Sequence, residues 1–287
     1  MTVGLFAKLH RTDFAEELCE IVEWLRKNGC HPIVDQTLVR KFHLEDVEGI
    51  ESVEPDRIPE LADAIVVFGG DGTMLSVARL IRGHQCPILG VNLGSLGFLT
   101  EVTLDRLYSD LRSLIDGRFN VEERCLVKAT LRRQDGEVQE FHALNDIVIN
   151  KAALARVVTV DAYFDDHFIA SFVADGIIIS TPTGSTAYSL SAGGPILHPT
   201  LECLLITPIC PHTLTNRPIV IPGYHELRFV LCSGKDVMLT VDGQVGAAFE
   251  EGNEVVCSLS PYRVELVRPN NKAFFEVLRE KLKWSKR

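Results

Sequence analysis

The chain has 287 residues, of which 46% are hydrophobic and 24% charged, with a formal net charge of −10. That balance excludes a disordered polymer and argues against a nucleic-acid surface, which needs a basic stripe to displace condensed counterions. An anionic ligand would have to be held locally, by backbone amides, a helix N-terminus, a bound metal or a few placed cations.

The length suggests two domains. Thr2 to Ala7 reads as a strand, and Phe14, Leu18, Ile21, Val22 and Leu25 then fall on one helical face that Asn28-Gly29 closes. His31 to Asp35 predicts a second strand, and the polar stretch from Gln36 to Arg57 a variable connection. Ala64 to Phe68 is a buried-strand pattern, followed by a helix in TMLSVARLI and another strand in PILGVN. Strand and helix in alternation imply a parallel sheet covered by helices. One more helix, in LDRLYSDLRSLIDG, ends at Gly117.

From there the period becomes two: Cys125, Val127, Ala129 and Leu131 alternate, a turn follows at Asp135-Gly136, and Val158, Val160, Ala162 and Phe164 alternate again. Further strands are predicted in GIIIS, ELRFVLCS, VMLTVD and RVELVR, and the closing segment NKAFFEVLREKLKWSKR returns to helical spacing. The fold class is therefore an α/β N-terminal domain with a Rossmann-like parallel sheet, 1–119 with 269–287, plus a mainly β C-terminal domain, 120–268. The N-terminal segment has too short an apolar stretch for a signal peptide and no later run approaches a membrane span, so a cytoplasmic protein is expected. Eight cysteines without a Cys-x-x-Cys pair read as mostly buried, reduced thiols, and nine histidines show no metal-ligand spacing.

Three stretches carry chemistry. The first, VVFGGDGTML, places Gly69, Gly70, Gly72 and Thr73 around Asp71 between a strand and a helix, at the sheet edge where open α/β folds collect ligands. It is neither a Walker loop nor a dinucleotide G-x-G-x-x-G; an Asp-Gly turn is the plain alternative. A carboxylate beside a phosphate must be compensated by a shared metal or by a hydroxyl whose proton it takes, and both are kinase roles. The second, DGIIISTPTGSTAYSLSAGGPI, concentrates hydroxyls that could bond sugar, base or phosphate, or could cap a short surface helix. The third, ALNDIVIN, offers Asn145 for a base edge and Asp146 for ribose hydroxyls, or opens a strand. Phe98, in NLGSLGFLTE, is a stacking face or a core residue.

Together GGDGTML, NLGSLGFLTE, LND, the long hydroxyl-rich motif, PICPHTLTNRPIVIP and VDGQ resemble the NAD kinase family, in that family's order from about Ala64 to Gln244. GGDGT alone is shared with lipid kinases; the hydroxyl-rich motif is the specific one. The resemblance implies ATP-dependent phosphorylation of NAD to NADP, with Mg²⁺ or another divalent metal carried by ATP, and Asp71 as the base on the 2′-hydroxyl of the adenosine ribose. It implies NAD contacts at Asp71, Gly72, Phe98, Asn145, Asp146, Asp175, Thr186, Ala187, Tyr188, Ser189, Leu190, Ser191 and Gln244, and a phosphate loop at Gly69, Gly70, Gly72 and Thr73. It also implies a C-terminal helix returning to the first domain, and a homodimer or homotetramer with neither nucleic-acid nor membrane partners. Family members often carry arginine where this chain has Val173, and Arg156 or a neighbouring subunit is the expected substitute cation. Two other readings predict different behaviour: a lipid kinase would want an apolar entry where Thr186 to Ser191 is polar, and a dinucleotide sensor would have no need of Asp71 as a base.

Overall fold

The structure, a computed structural model, describes residues 1–7, 14–94, 97–100, 102–151, 157–268 and 274–284. Two compact units share the chain, one formed by Met1–Glu123 with Val264–Arg287 and the other by Arg124–Arg263. In chain order the first unit contains β1 (Thr2–Ala7), α1 (Ala15–Lys27), β2 (His31–Asp35), α2 (Gln36–Phe42), β3 (Glu51–Val53), α3 (Ile58–Leu61), β4 (Ala64–Phe68), α4 (Asp71–Ile81), β5 (Ile88–Asn92), β6 (Val102–Thr103) and α5 (Leu107–Ile115).

Its sheet runs β5-β4-β1-β2-β3, with every neighbouring pair parallel. The apolar runs that predict β1 and β4 are buried along almost their whole length, as strands covered on both faces must be. Phe14, Leu18, Ile21, Val22 and Leu25 pack into the same core as Val66, Phe68 and Leu89.

The connection expected over Gln36 to Arg57 is more structured than its polarity suggests, containing α2, β3 and a short 3₁₀ turn at Pro55–Arg57. The cause is local. Asp35 caps α2, its carboxylate accepting from the Thr37 amide and hydroxyl, both at 2.8 Å, and this lets Leu38 and Val39 bury on the sheet.

The remaining elements are β7 (Asn120–Arg132), β8 (Val138–Ala143), β9 (Asp146–Lys151), β10 (Val158–Phe164), β11 (His167–Ala174), β12 (Gly176–Ser180), α6 (Tyr188–Ser191), β13 (Cys203–Ile209), β14 (Ile219–Pro222), β15 (Leu227–Ser233), β16 (Val237–Val241), β17 (Val245–Ala248), β18 (Glu254–Arg268) and α7 (Phe274–Leu282). In the second unit one antiparallel sheet has the order β14-β13-β12-β9-β16-β17. The other contains β11, β10, β15 and the first residues of β18, with β7 and β8. Alternating residues from both sheets, among them Val127, Ile147, Ile177, Phe229 and Leu239, fill one core. The last residues of β18 belong to the first unit, where Leu266 pairs with Ile88 of β5 in parallel.

All eight cysteines are free; Cys30, Cys86, Cys125, Cys203 and Cys257 are buried, Cys19 is half-buried, and Cys210 and Cys232 are exposed. Among the described residues no helix is long and apolar enough to cross a membrane. Arg156 lies outside the described residues.

Candidate active site

Strands β4 and β5 are adjacent and parallel, with Phe68 opposite Val91, so the loops leaving their C-terminal ends emerge side by side. The Gly69 amide donates to the Val91 carbonyl at 2.8 Å and extends this pairing one residue past β4. Gly70 then caps α4 in an extended conformation, and Asp71 is the first residue of the helix, two residues earlier than the apolar pattern alone would start it.

Asp71 reaches the loop after β5. Its carboxylate accepts from the Phe98 amide at 2.9 Å and the Leu99 amide at 3.0 Å, one to each oxygen. Each oxygen has two lone pairs, so the pair of amides orients the carboxylate without exhausting it as an acceptor. Gly97 makes the approach possible, because a methyl group there would overlap the Asp71 carboxylate. The loop is pinned in turn by Asn92, whose side chain accepts from the Gly94 amide at 2.6 Å and donates to the Thr100 hydroxyl at 3.2 Å. Phe98 is half-buried, and the Lys281 ammonium of α7 lies 5.8 Å from its ring centroid, within cation–π range. Gly72 is exposed beside Asp71, and Thr73 is half-buried on the first turn.

In the second unit, a pocket of about 420 Å³ is lined by Asn145, Asp146, Val148, Asn150, Ala187, Tyr188, Thr240, Asp242 and Gly243. The segment Leu144–Asp146 forms one wall and is held from two sides. The carboxylate of Asp242 accepts from the amides of Leu144, Asn145 and Asp146, at 3.3, 2.8 and 3.2 Å, while its own amide donates to the Asp146 carbonyl at 2.9 Å. From the other side the Thr181 hydroxyl donates to the Leu144 carbonyl at 2.6 Å, and the Thr181 amide to the Asn145 carbonyl at 2.9 Å. Gly184 packs so closely on the Asn145 carbonyl that no side chain fits there.

Two family models match the chain: the ATP-NAD kinase N-terminal domain over residues 3–119 and the ATP-NAD kinase C-terminal domain over residues 144–269. An NAD kinase of Geobacter metallireducens is 50% identical over 286 residues, 99% of each chain, and one of Geotalea daltonii is 48% identical over the same share. The chain belongs to the NAD kinase family. Yeast NADH kinase, solved in complex with NADH, superposes with a TM-score of 0.92 at 26% identity, covering 100% of this chain and 89% of that one. The fold is also that of an Archaeoglobus fulgidus NAD kinase solved with ATP, with a TM-score of 0.77 at 24% identity and full coverage of both chains.

Within this member of the NAD kinase family, the hydroxyl-rich motif is largely turned inward. Ser180, Thr181, Ser185 and Ser189 are fully buried. The Ser185 hydroxyl donates to the Pro182 carbonyl at 2.6 Å and accepts from the Leu197 amide at 2.9 Å. The hydroxyls of Ser189 and Thr207 share a hydrogen bond of 2.8 Å, and the Thr186 hydroxyl donates to the Thr183 carbonyl at 3.1 Å. Ala187 and Tyr188 are the members of this run that line the pocket, with Leu190 half-buried and Ser191 exposed on α6.

Asp175 is paired with Lys151 at 2.8 Å. Gln244 is exposed just past the Asp242-Gly243 turn, its amide donating to the Val241 carbonyl at 2.9 Å. The Val173 carbonyl accepts from the His212 amide at 2.9 Å.

Two residues of this machinery escaped the sequence reading. Gly97 sits inside NLGSLGFLTE and could have been suspected as a glycine flanking a functional loop. Asp242 sits in VDGQ, where Asp-Gly reads as an ordinary turn; nothing local in the sequence announces that its carboxylate collects three amides from residues almost a hundred positions away.

Proposed function

We propose that this chain is an NAD kinase that transfers the terminal phosphoryl group of ATP to the 2′-hydroxyl of the adenosine ribose of NAD, giving NADP and ADP, with Asp71 as the base. The observation that supports this most is the Asp71 carboxylate itself: aimed by two backbone amides, next to a glycine-rich turn and a helix N-terminus, in a chain nearly half identical to NAD kinases over its full length.

Phosphoryl transfer asks a protein chiefly for positioning and charge compensation. Asp71 orients the hydroxyl and takes its proton as the new O–P bond forms and the bond from phosphorus to the ADP oxygen breaks. Gly70 and Gly72 supply amides and Thr73 a hydroxyl at the positive end of α4 for phosphate oxygens, while Gly69, whose own amide is held by the Val91 carbonyl, sets the turn that presents them. Phe98 offers a face to the adenine. Asn145 and Asp146 bond the adenine and a ribose. Asp175, Thr186, Ala187, Tyr188, Ser189, Leu190, Ser191 and Gln244 complete the dinucleotide contacts, with Ser189 acting through its backbone and through the buried bond to Thr207 that shapes α6. Arg156 supplies positive charge for the NAD phosphates.

The divalent ion enters as part of the substrate, as Mg²⁺ on the phosphates of ATP. In this reading the protein is cytoplasmic, where NAD and ATP are at hand, and acts as a homodimer or homotetramer.

The test is to incubate the purified chain with NAD, ATP and Mg²⁺ and to detect NADP with an NADP-specific dehydrogenase. NADP formation, abolished when ATP or the divalent ion is left out, is the expected result. Tight NAD binding with no NADP under any donor or metal would replace the enzyme with a sensor, and phosphorylation of diacylglycerol in place of NAD would make it a lipid kinase.

A further inference from the structure

The pocket of the second unit holds a carboxyl that phosphoryl transfer does not explain. Asp146 is only 4% exposed, yet it lines the pocket, and no described residue gives its carboxyl a hydrogen bond. Its neighbour Asp242, 8% exposed, faces the opposite situation, with three amide donors on its carboxylate. Two carboxyls in one water-poor site resist ionising together, and hydrogen bonds to the charged form decide which of them keeps the charge. The three amides place it on Asp242.

We propose that Asp146 meets NAD as a neutral carboxylic acid, donating one hydrogen bond and accepting another, with Asp242 as the fixed anion that holds the proton there. This rests on the NAD kinase reading above. A neutral acid presents the donor-and-acceptor pair that a ribose hydroxyl or an adenine edge complements. It also spares the pyrophosphate of NAD an added negative charge in a pocket that already contains Asp242.

The surroundings agree. Burial first, and then the negative charge of Asp242, push the Asp146 carboxyl up to about 7. The other ionisable groups near it are few. On β9 itself Lys151 lies at the far end, paired with Asp175. Opposite Asp146 on β12 stands Ser180, which carries no charge, and β16 leads into Asp242. From the first residue of α6 the pocket is lined by Tyr188. Among the described residues no cation offsets the charge of an ionised Asp146.

The experiment is calorimetric titration of the full chain with NAD from pH 5.5 to 9, in buffers of differing ionisation heat, for the wild type, Asp146→Asn and Asp242→Asn. Wild-type affinity is expected to fall about tenfold per pH unit above about 7, with close to one proton taken up on binding there. Asp146→Asn, which keeps one donor and one acceptor but no titrating proton, should lose both the pH dependence and the proton uptake, whatever affinity it retains at pH 6. Asp242→Asn should move the fall in affinity to lower pH. A wild-type affinity that is flat across the range, or an Asp146→Asn protein whose proton uptake is unchanged, would overturn the proposal.

A second measurement needs no NAD. Infrared difference spectra of the unliganded chain between pH 6 and 9 should show a protonated-carboxyl band at the lower pH that is missing in Asp146→Asn. Absence of that band in the wild type would refute the neutral acid, whereas failure of NAD to bind at any pH while the band is present would count against the NAD reading alone.

Discussion

Asp71 and Asp242 are held by the same device, backbone amides converging on a carboxylate, and they are put to different uses. Asp71 accepts two amides, from residues 27 and 28 positions further on, and stays half-exposed beside an exposed Gly72. Asp242 accepts three, is buried, and ties together a turn that is otherwise far away in sequence. Two amides with acceptor capacity left over leave a carboxylate open to a further donor, as the proposed base must be; three amides out of water make an anchor. The comparison teaches that what separates the two is exposure and remaining acceptor capacity, while both are written in sequence as Asp-Gly.

The largest expected effect breaks the comparison at its reactive end. Asp71→Asn should lower turnover about 10²- to 10⁴-fold, the range for removing a positioned base, with NAD still bound and a smaller loss of thermal midpoint, because the carboxamide can accept from only one of the two amides. Steady-state kinetics with NADP detection, alongside calorimetry and melting curves, check all three. Close behind, Gly97→Ala should cost about 10²-fold in kcat with the carboxylate still present, because the added methyl displaces Asp71 from its aim. A turnover equal to the wild type would show that the carboxylate need not be held where the amides put it.

At the anchoring end the loss should appear as instability instead. Asp242→Ala leaves three amides without their acceptor and should destabilise the fold by about 3 kcal/mol, read as a lower denaturation midpoint with unchanged m-value.

The Asp146 carboxyl gives an effect that appears only as pH is varied. Its folded-state value, about 7, lies above the ordinary carboxylate value, so between about 4 and 7 the folded chain binds more protons than the unfolded one. Stability contributed at this position therefore falls as pH rises through that window and levels off above it. Asp146→Asn should melt higher than the wild type at pH 8, and the gap should close as pH is lowered toward 4. The smallest effect belongs to the buried hydroxyl pair. Ser189→Ala should cost about 1 kcal/mol, and a double-mutant cycle with Thr207→Val should show that most of this is coupling between the two.

The parallel sheet of the first unit was legible because its strands are buried on both faces and so appear as unbroken apolar runs, as in Ala64 to Phe68. The second unit was legible through alternation, which Val158, Val160 and Ala162 keep by facing the core. What hid α2 was composition: seven mostly polar residues form a helix because Asp35 caps them and the sheet covers Leu38 and Val39, neither of which a local pattern reveals.

The site was legible as motifs and not as directions. Asp71 stood out from its glycines, but the hydroxyls of Ser180, Thr181, Ser185 and Ser189 point inward, where they satisfy backbone and one another. A run of serines and threonines reads the same whether it faces a ligand or braces the loop that does. Asp242 was hidden by distance, because its partners come from β9 and its neighbourhood while it follows β16, and strand pairing across sequence is what joins them.

One feature of the chain's path bears on its manufacture. The second unit, Arg124–Arg263, is a single uninterrupted stretch, whereas the first is assembled from Met1–Glu123 and the residues from Val264 onward, including the end of β18 that pairs with β5. On the ribosome the first unit is therefore begun early and completed late. Its half-made sheet has β6 on the Val91–Asn92 end of β5 but must leave the Ile88 end without its β18 partner while all of the second unit is translated and can fold as a unit of its own. Unpaired strand edges are the surfaces on which nascent chains aggregate, so chaperone demand during synthesis falls on the part of the molecule that emerges first.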